Sequence, residues 1–208
     1  MKDDLVLLVV GSGGREFAVA KKLKESPHVK TVYCAPGNVG MQTIGVKTVP
    51  IEETDLDGLL DFAKNHNIDW TFVGSENVLC AGITDKFNEA GQKIFGPNQR
   101  AAQLEGSKDY ALRFMSKYNI PTARYETYTS AETCIAGLKD FDFPVVIKED
   151  GLAGGKGVTI AKNQDVAEET IREMFAGGQT AVVLEECLVG PEYSMFVVVS
   201  EDQFTILP

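Results

Sequence analysis

Six consecutive aliphatic residues, Leu5 to Val10, run without a break into glycines at positions 11, 13 and 14. A run so short and so apolar has no polar face. It suits a strand covered on both sides, as in a parallel sheet. It is too short to cross a bilayer, and Asp3 and Asp4 stand where a signal peptide would carry positive charge. The glycines then turn the chain into residues 15–26, whose Phe17, Ala20 and Leu23 share one helical side opposite the lysines.

The same unit recurs. Strand patterns over 31–35, 70–73 and 93–95 alternate with helical ones from Thr54 and around 78–90. In the former, Leu56, Leu59, Leu60 and Ala63 are helically spaced, and Thr54 with Asp57 approximates a capping box. Such alternation predicts α/β architecture, with a Rossmann-like parallel sheet and right-handed crossovers over residues 1–100. Gly96-Pro97-Asn98 marks a boundary. The pattern then changes to a helix over 107–118, a break at Pro121 and a strand over 124–127. A short helix capped by Thr129 and Glu132 follows. Strands over 145–149 and 158–161 flank a glycine loop, and a helix runs from Asp165, capped by Glu168. Two last strands are expected over 181–185 and 193–199. The second part, 101–208, is therefore expected to hold a small α+β unit at about 122–189.

Charge and cysteine usage exclude several classes. Lys and Arg number 20 against 30 Asp and Glu, a net charge of −10 with no basic cluster, which argues against a nucleic-acid partner. Cys34, Cys80, Cys134 and Cys187 are far apart and form no C-x-x-C pair. They fit reduced thiols of a cytoplasmic protein, not a zinc site or a disulfide frame. His28 and His66 are the only histidines, so Ser-His-Asp chemistry is not indicated.

Two glycine loops carry chemistry. In Gly11-Ser12-Gly13-Gly14-Arg15-Glu16, backbone amides at a helix start can meet an anion. A dinucleotide is disfavoured, because Glu16 replaces the third glycine of G-x-G-x-x-G and no acidic residue follows the second strand at Cys34-Ala35-Pro36. The phosphate of a smaller ligand is expected. Ala35-Pro36-Gly37-Asn38 should lie at the same sheet end and share that pocket, although alone it is an ordinary turn. The second loop, Asp150-Gly151-Leu152-Ala153-Gly154-Gly155-Lys156-Gly157-Val158, is not a Walker A loop: it lacks that motif's first glycine and its Ser or Thr, and a strand follows instead of a helix. A glycine flap between antiparallel strands covers a triphosphate in another way. Lys148 ends the apolar strand before it, where a point charge can reach α- and β-phosphates. Alone, it would read as a solvated strand end.

Taken together, these segments resemble the ATP-grasp superfamily and, within it, the glycinamide ribonucleotide synthetases. The resemblance is carried by the two loops above, by Ile94-Phe95-Gly96-Pro97, by Ala101-Ala102-Gln103-Leu104-Glu105-Gly106-Ser107-Lys108 and by Glu185-Glu186. Two positions depart from the family pattern: Phe17 stands where His is usual, and Gly74-Ser75-Glu76-Asn77-Val78-Leu79 replaces Gly-Pro-Glu-Ala-Pro-Leu. The resemblance implies a Rossmann-like domain followed by the α+β lid and first strands of an ATP-grasp domain. It implies an ATP-dependent ligation of glycine to 5-phosphoribosylamine through a glycyl phosphate, in purine biosynthesis.

It also implies roles for individual residues. Lys108, Lys148, Gly154, Gly155, Lys156 and Gly157 would hold or cover ATP phosphates. Glu185 and the backbone of Leu188 would meet the adenine edge and Glu192 the ribose, with Glu186 in the same ATP-binding set. Gly11, Gly13, Gly14, Arg15, Glu16, Asn38 and Glu76 would hold the phosphoribosyl substrate. No catalytic side chain is assigned, and the ligands of Mg²⁺ are expected beyond Pro208, the chain being an N-terminal part inactive alone. Small-molecule partners are expected, with no nucleic acid and no membrane; oligomeric state is left open. Two other readings stand beside this one: another ATP-grasp carboxylate–amine ligase, or a non-catalytic fragment binding a nucleotide or phosphosugar.

Overall fold

The computed structural model describes residues 3–152, 154 and 157–207. The first apolar run forms β1 (Leu5–Gly11), followed by α1 (Gly14–Lys24) and β2 (Val29–Pro36). Then come α2 (Val39–Thr43), β3 (Lys47–Thr48), α3 (Leu56–Asn65) and β4 (Trp70–Val73). Helices α4 (Glu76–Cys80) and α5 (Ile83–Glu89) lead to β5 (Ile94–Phe95). All pairings among these strands are parallel, in the order β3-β2-β1-β4-β5.

Side-chain alternation along β1 explains why it is apolar throughout. Leu8 and Val10 pack with Leu59, Ile83 and Phe87 on one face, whereas Val9 packs with Ala20, Val32 and Met41 on the other. The chain visits β2 and β3 on one side of β1 and then crosses to β4. The strand order therefore reverses between β1 and β4, and their carboxyl ends flank the crevice where open α/β sheets bind ligands.

Helices α6 (Gln99–Gly106) and α7 (Lys108–Lys117) connect this sheet to the second one. There, β6 (Tyr125–Tyr128), α8 (Ala131–Gly137), a 3₁₀ turn (Leu138–Asp140), β7 (Val145–Glu149), β8 (Val158–Ala161), α9 (Gln164–Ala176) and β9 (Val182–Glu186) follow in order. The strands pair antiparallel in the order β6-β9-β7-β8. Val145, Ile147, Val182 and Leu184 bury one face of this sheet against Cys134, Ala167, Ile171 and Met174 of α8 and α9. A ribbon of β10 (Val197–Ser200) and β11 (Gln203–Ile206) lies beyond.

Several expectations are corrected. The helix expected around 78–90 is two helices, broken at Gly82, whose φ is +90°. The caps fall on neighbours of the expected residues. Asp55 caps α3 in place of Thr54, Ser130 caps α8 in place of Thr129, and Asn163 caps α9 in place of Asp165. Each accepts a backbone N–H three residues on, the geometry that decides a cap. Glu168 does not close a capping box; its carboxylate accepts from Gln164 and Arg172 instead. The strand expected over 193–199 is confined to Val197–Ser200, and α2, β3, α6 and β11 are additions. Among the described residues, no helix is long and apolar enough to cross a membrane.

Candidate functional site

The two loops at the carboxyl end of the parallel sheet are stitched together. Asn38 caps α2 by accepting the Met41 N–H at 3.2 Å, and its Nδ2 donates to the Ser12 carbonyl at 2.7 Å. Gly37 N–H donates to the Gly11 carbonyl at 3.1 Å. Gly13 begins α1 without a side chain to cap it, so Glu16 folds back and accepts the Gly13 N–H at 2.6 Å. Glu16 is consequently buried, 6% exposed, under the loop. The neighbouring backbone leaves just enough room: a Cβ at Gly11 would stand 2.6 Å from Glu16 Cγ, and one at Gly74 would collide with the carboxylate.

Arg15, next in sequence, points the other way. Its guanidinium pairs with Glu76 at 2.5 Å, joining the start of α1 to the start of α4 across the crevice. The hydrogen bond that Arg15 donates to the Glu76 carboxylate raises the Arg15 pKa. For Glu76, burial alone would raise the pKa, but the Arg15 bond and charge and its own backbone N–H outweigh it and hold it below the usual value.

These two residues form one wall of a cavity of about 410 Å³. The opposite wall comes from the second part of the chain: Lys108 at the start of α7, and Gly151, Gly154 and Gly157 of the second glycine loop. Lys108 Nζ donates to the Gly151 carbonyl at 2.8 Å. Arg15, Glu76, Lys108, Gly154 and Gly157 thus converge from both halves of the chain. Asn77, Leu104 and Glu105 also line the cavity. The sequence signal for Leu104 and Glu105 was their place in the run ending at Lys108; Asn77 had only its position beside Glu76.

The remaining expected residues lie elsewhere. Gly11, Gly13, Gly14, Glu16 and Asn38 are at the same sheet end but do not line this cavity. Lys148 and Glu185 occupy the face of the antiparallel sheet opposite α8 and α9, where they form a half-buried ion pair at 2.6 Å. Val146 is the direct partner of Glu185, which makes Lys148 its diagonal neighbour, within reach of a long side chain. Glu186 accepts the Arg124 N–H at 2.7 Å. Leu188 and Glu192 are exposed between β9 and β10. Gly155 and Lys156 lie outside the described residues. Among the described residues, no three His, Cys, Asp or Glu side chains converge so as to hold a metal ion.

Sequence comparison separates the fold from the family. The profile of the phosphoribosylglycinamide synthetase N domain matches residues 5–105, and that of the ATP-grasp (A) domain of the same synthetase matches residues 106–208. The chain belongs to the phosphoribosylglycinamide synthetase family. A phosphoribosylamine–glycine ligase of Lactococcus lactis subsp. lactis (strain IL1403) is 48% identical over 202 residues, 97% of this chain and 49% of the relative. The crystal structure of the phosphoribosylamine–glycine ligase of Thermotoga maritima superimposes with a TM-score of 0.75 at 33% identity, covering 98% of this chain and 49% of that one. The N5-carboxyaminoimidazole synthetase of Staphylococcus aureus, complexed with ADP, reaches the same TM-score of 0.75 at 15% identity, over 100% of this chain and 54% of that one. That likeness shows a shared fold and nothing finer. The chain spans about half the length of the curated relatives it matches.

Proposed function

We propose that this chain is the phosphosugar-binding and nucleotide-covering part of a cytoplasmic phosphoribosylamine–glycine ligase of purine biosynthesis. On this reading, residues 1–100 bind the ribonucleotide substrate and residues 101–208 contribute to the ATP site. One observation carries it: a single cavity is walled by Arg15 and Glu76 from the first part and by Lys108 with the loop glycines from the second.

The reaction joins two small molecules and needs no nucleophilic side chain. The glycine carboxylate attacks the γ-phosphorus of ATP, ADP leaves, and a glycyl phosphate forms. The amine of 5-phosphoribosylamine then attacks the acyl carbon, the acyl C–O bond breaks with its electron pair leaving on phosphate, and the nitrogen loses a proton. Such chemistry is served by positioning and charge neutralisation. Lys108 and Lys148 supply cationic charge to the phosphates, and Gly154 and Gly157 let backbone approach them. Glu185 and Leu188 meet the adenine edge, and Glu192 the ribose. Arg15, Asn38 and the amides of the first glycine loop hold the phosphoribosyl group. The Gly13 N–H is already taken by Glu16, so the exposed amide of Gly14 is the better placed anion donor. ATP-dependent ligation of this kind uses Mg²⁺ to neutralise phosphate charge; the described residues offer no cluster that fits it.

Phosphate release by the gene-encoded protein tests the reading. It should require glycine and phosphoribosylamine together. Turnover with another carboxylic acid but not with glycine overturns it in favour of a different ATP-grasp ligase.

A further inference from the structure

Asp150 follows β7 and reaches back to the start of α7. Its Oδ1 accepts the Ser107 hydroxyl at 3.1 Å and the Asp109 N–H at 3.2 Å, and its Oδ2 lies 3.2 Å from the same hydroxyl. The Ser107 oxygen meanwhile accepts the Tyr110 N–H at 3.1 Å, so the hydroxyl proton is left for Asp150. A carboxylate is well matched to this place, because the first turn of a helix presents unpaired N–H groups and a partial positive charge.

The register of these bonds matters more than their number. Asp150 holds Ser107 and Asp109, the residues on either side of Lys108, and Gly151, next to Asp150, accepts the Lys108 ammonium at 2.8 Å. Lys108 is therefore flanked by two residues anchored on Asp150, one through its hydroxyl and one through its backbone N–H, and is tied through its own side chain to Gly151. A lysine without such bracketing is a flexible point charge on a four-carbon stem.

We infer that Asp150 is a positioning residue: it fixes Lys108 in the cavity by anchoring both of its neighbours, Ser107 through the hydroxyl and Asp109 through the backbone N–H. Only the use of Lys108 as a phosphate ligand rests on the proposed function; the bracketing belongs to the ligand-free chain. An anionic ligand would then meet a cation already placed, which lowers the ordering cost of binding.

Trace acetylation by acetic anhydride, read by mass spectrometry of the Lys108 peptide without ligand, tests the bracketing directly. Acetylation of Lys108 should rise about fivefold in Asp150→Ala, the scale set by one lost hydrogen bond. Asp150→Asn keeps a carbonyl acceptor and should stay within about twofold of the parent. The exposed Lys22 should not change in either. Unchanged Lys108 labelling in a folded Asp150→Ala chain overturns the inference. Should that variant not fold, Ser107→Ala removes the hydroxyl bridge, and the cap on the Tyr110 N–H with it, while the Asp109 bond to Asp150 remains. It should raise Lys108 labelling about twofold to threefold, and no rise overturns the inference equally.

Calorimetry then separates this inference from the nucleotide reading. Lys108→Met and Asp150→Ala should each weaken ATP binding about tenfold, and the double variant no further, because Asp150 acts through Lys108. Additive losses overturn the inference. Unchanged ATP binding in Lys108→Met, with Lys108 labelling raised in Asp150→Ala, sinks the nucleotide reading and leaves the positioning role standing.

Discussion

Glu16 keeps an ionisable group inside the molecule, and its surroundings are cut to fit. Glycine at 11 and 74 makes the space, and the Gly13 N–H supplies a donor. Gly74→Ala should cost about 1–3 kcal/mol through overpacking, and Glu16→Ala about 1 kcal/mol by removing the acceptor of that bond. Combined, they should cost less than the sum, because the clash needs both side chains; urea denaturation of the three variants measures the coupling. Burial, with the charge of Glu16 as a second contribution, pushes the Cys34 thiol up to about 12. Burial alone does the same to Cys134, also to about 12. Neither cysteine should react with iodoacetamide at pH 8 until the chain unfolds, since the thiolate is the reactive form. Labelling of Cys34 in the native chain would contradict its environment. The Arg15–Glu76 pair is open to solvent, 75% and 33% exposed, so it contributes at most about 0.5 kcal/mol. Because Glu76 titrates below its ordinary 4.5 when folded, that contribution is complete above about pH 4.5 and fades as pH falls further. Glu76→Gln should therefore lower stability slightly at pH 7, by an amount that shrinks as pH falls below 4.5, as denaturant midpoints along an acid series would show.

Elements long enough to show a period were readable from composition, and short ones were not. β1 announced itself because both of its faces are covered, and α3 because Leu56, Leu59, Leu60 and Ala63 repeat helically. Helix α2 has five residues and β3 two, too few for any period to emerge. The break between α4 and α5 was hidden because a glycine inside a helical pattern reads equally as interior or stop; its φ of +90° makes it a stop. Gly82→Ala should destabilise the chain by about 1 kcal/mol, since a side chain is strained at that φ. A melting curve would report it, and an unchanged midpoint would mean that the turn relaxes freely. The caps slipped by one or two residues where two capping residue types stand close together, as with Thr54 and Asp55, and geometry alone decides which one turns inward.

Across the whole molecule, the site was legible as a set of residues and not as an arrangement. Arg15, Glu76, Lys108, Gly154 and Gly157 meet in one cavity, but local sequence cannot say that Lys148 pairs with Glu185 across a sheet, or that Asp150 reaches residues 43 and 41 positions away. Those contacts depend on how the two sheets are assembled. The ribbon of β10 and β11 stands outside both sheets. Among the described residues its strands pair only with each other, and all eight of their residues are exposed. An isolated two-stranded ribbon is marginal in water, so its amides open at almost no free-energy cost, whereas those of β1 wait for the sheet around them to come apart. In deuterium exchange the ribbon's amides should saturate at the earliest time points and those of β1 last. A single labelling series would then time local fraying and global opening in the same molecule.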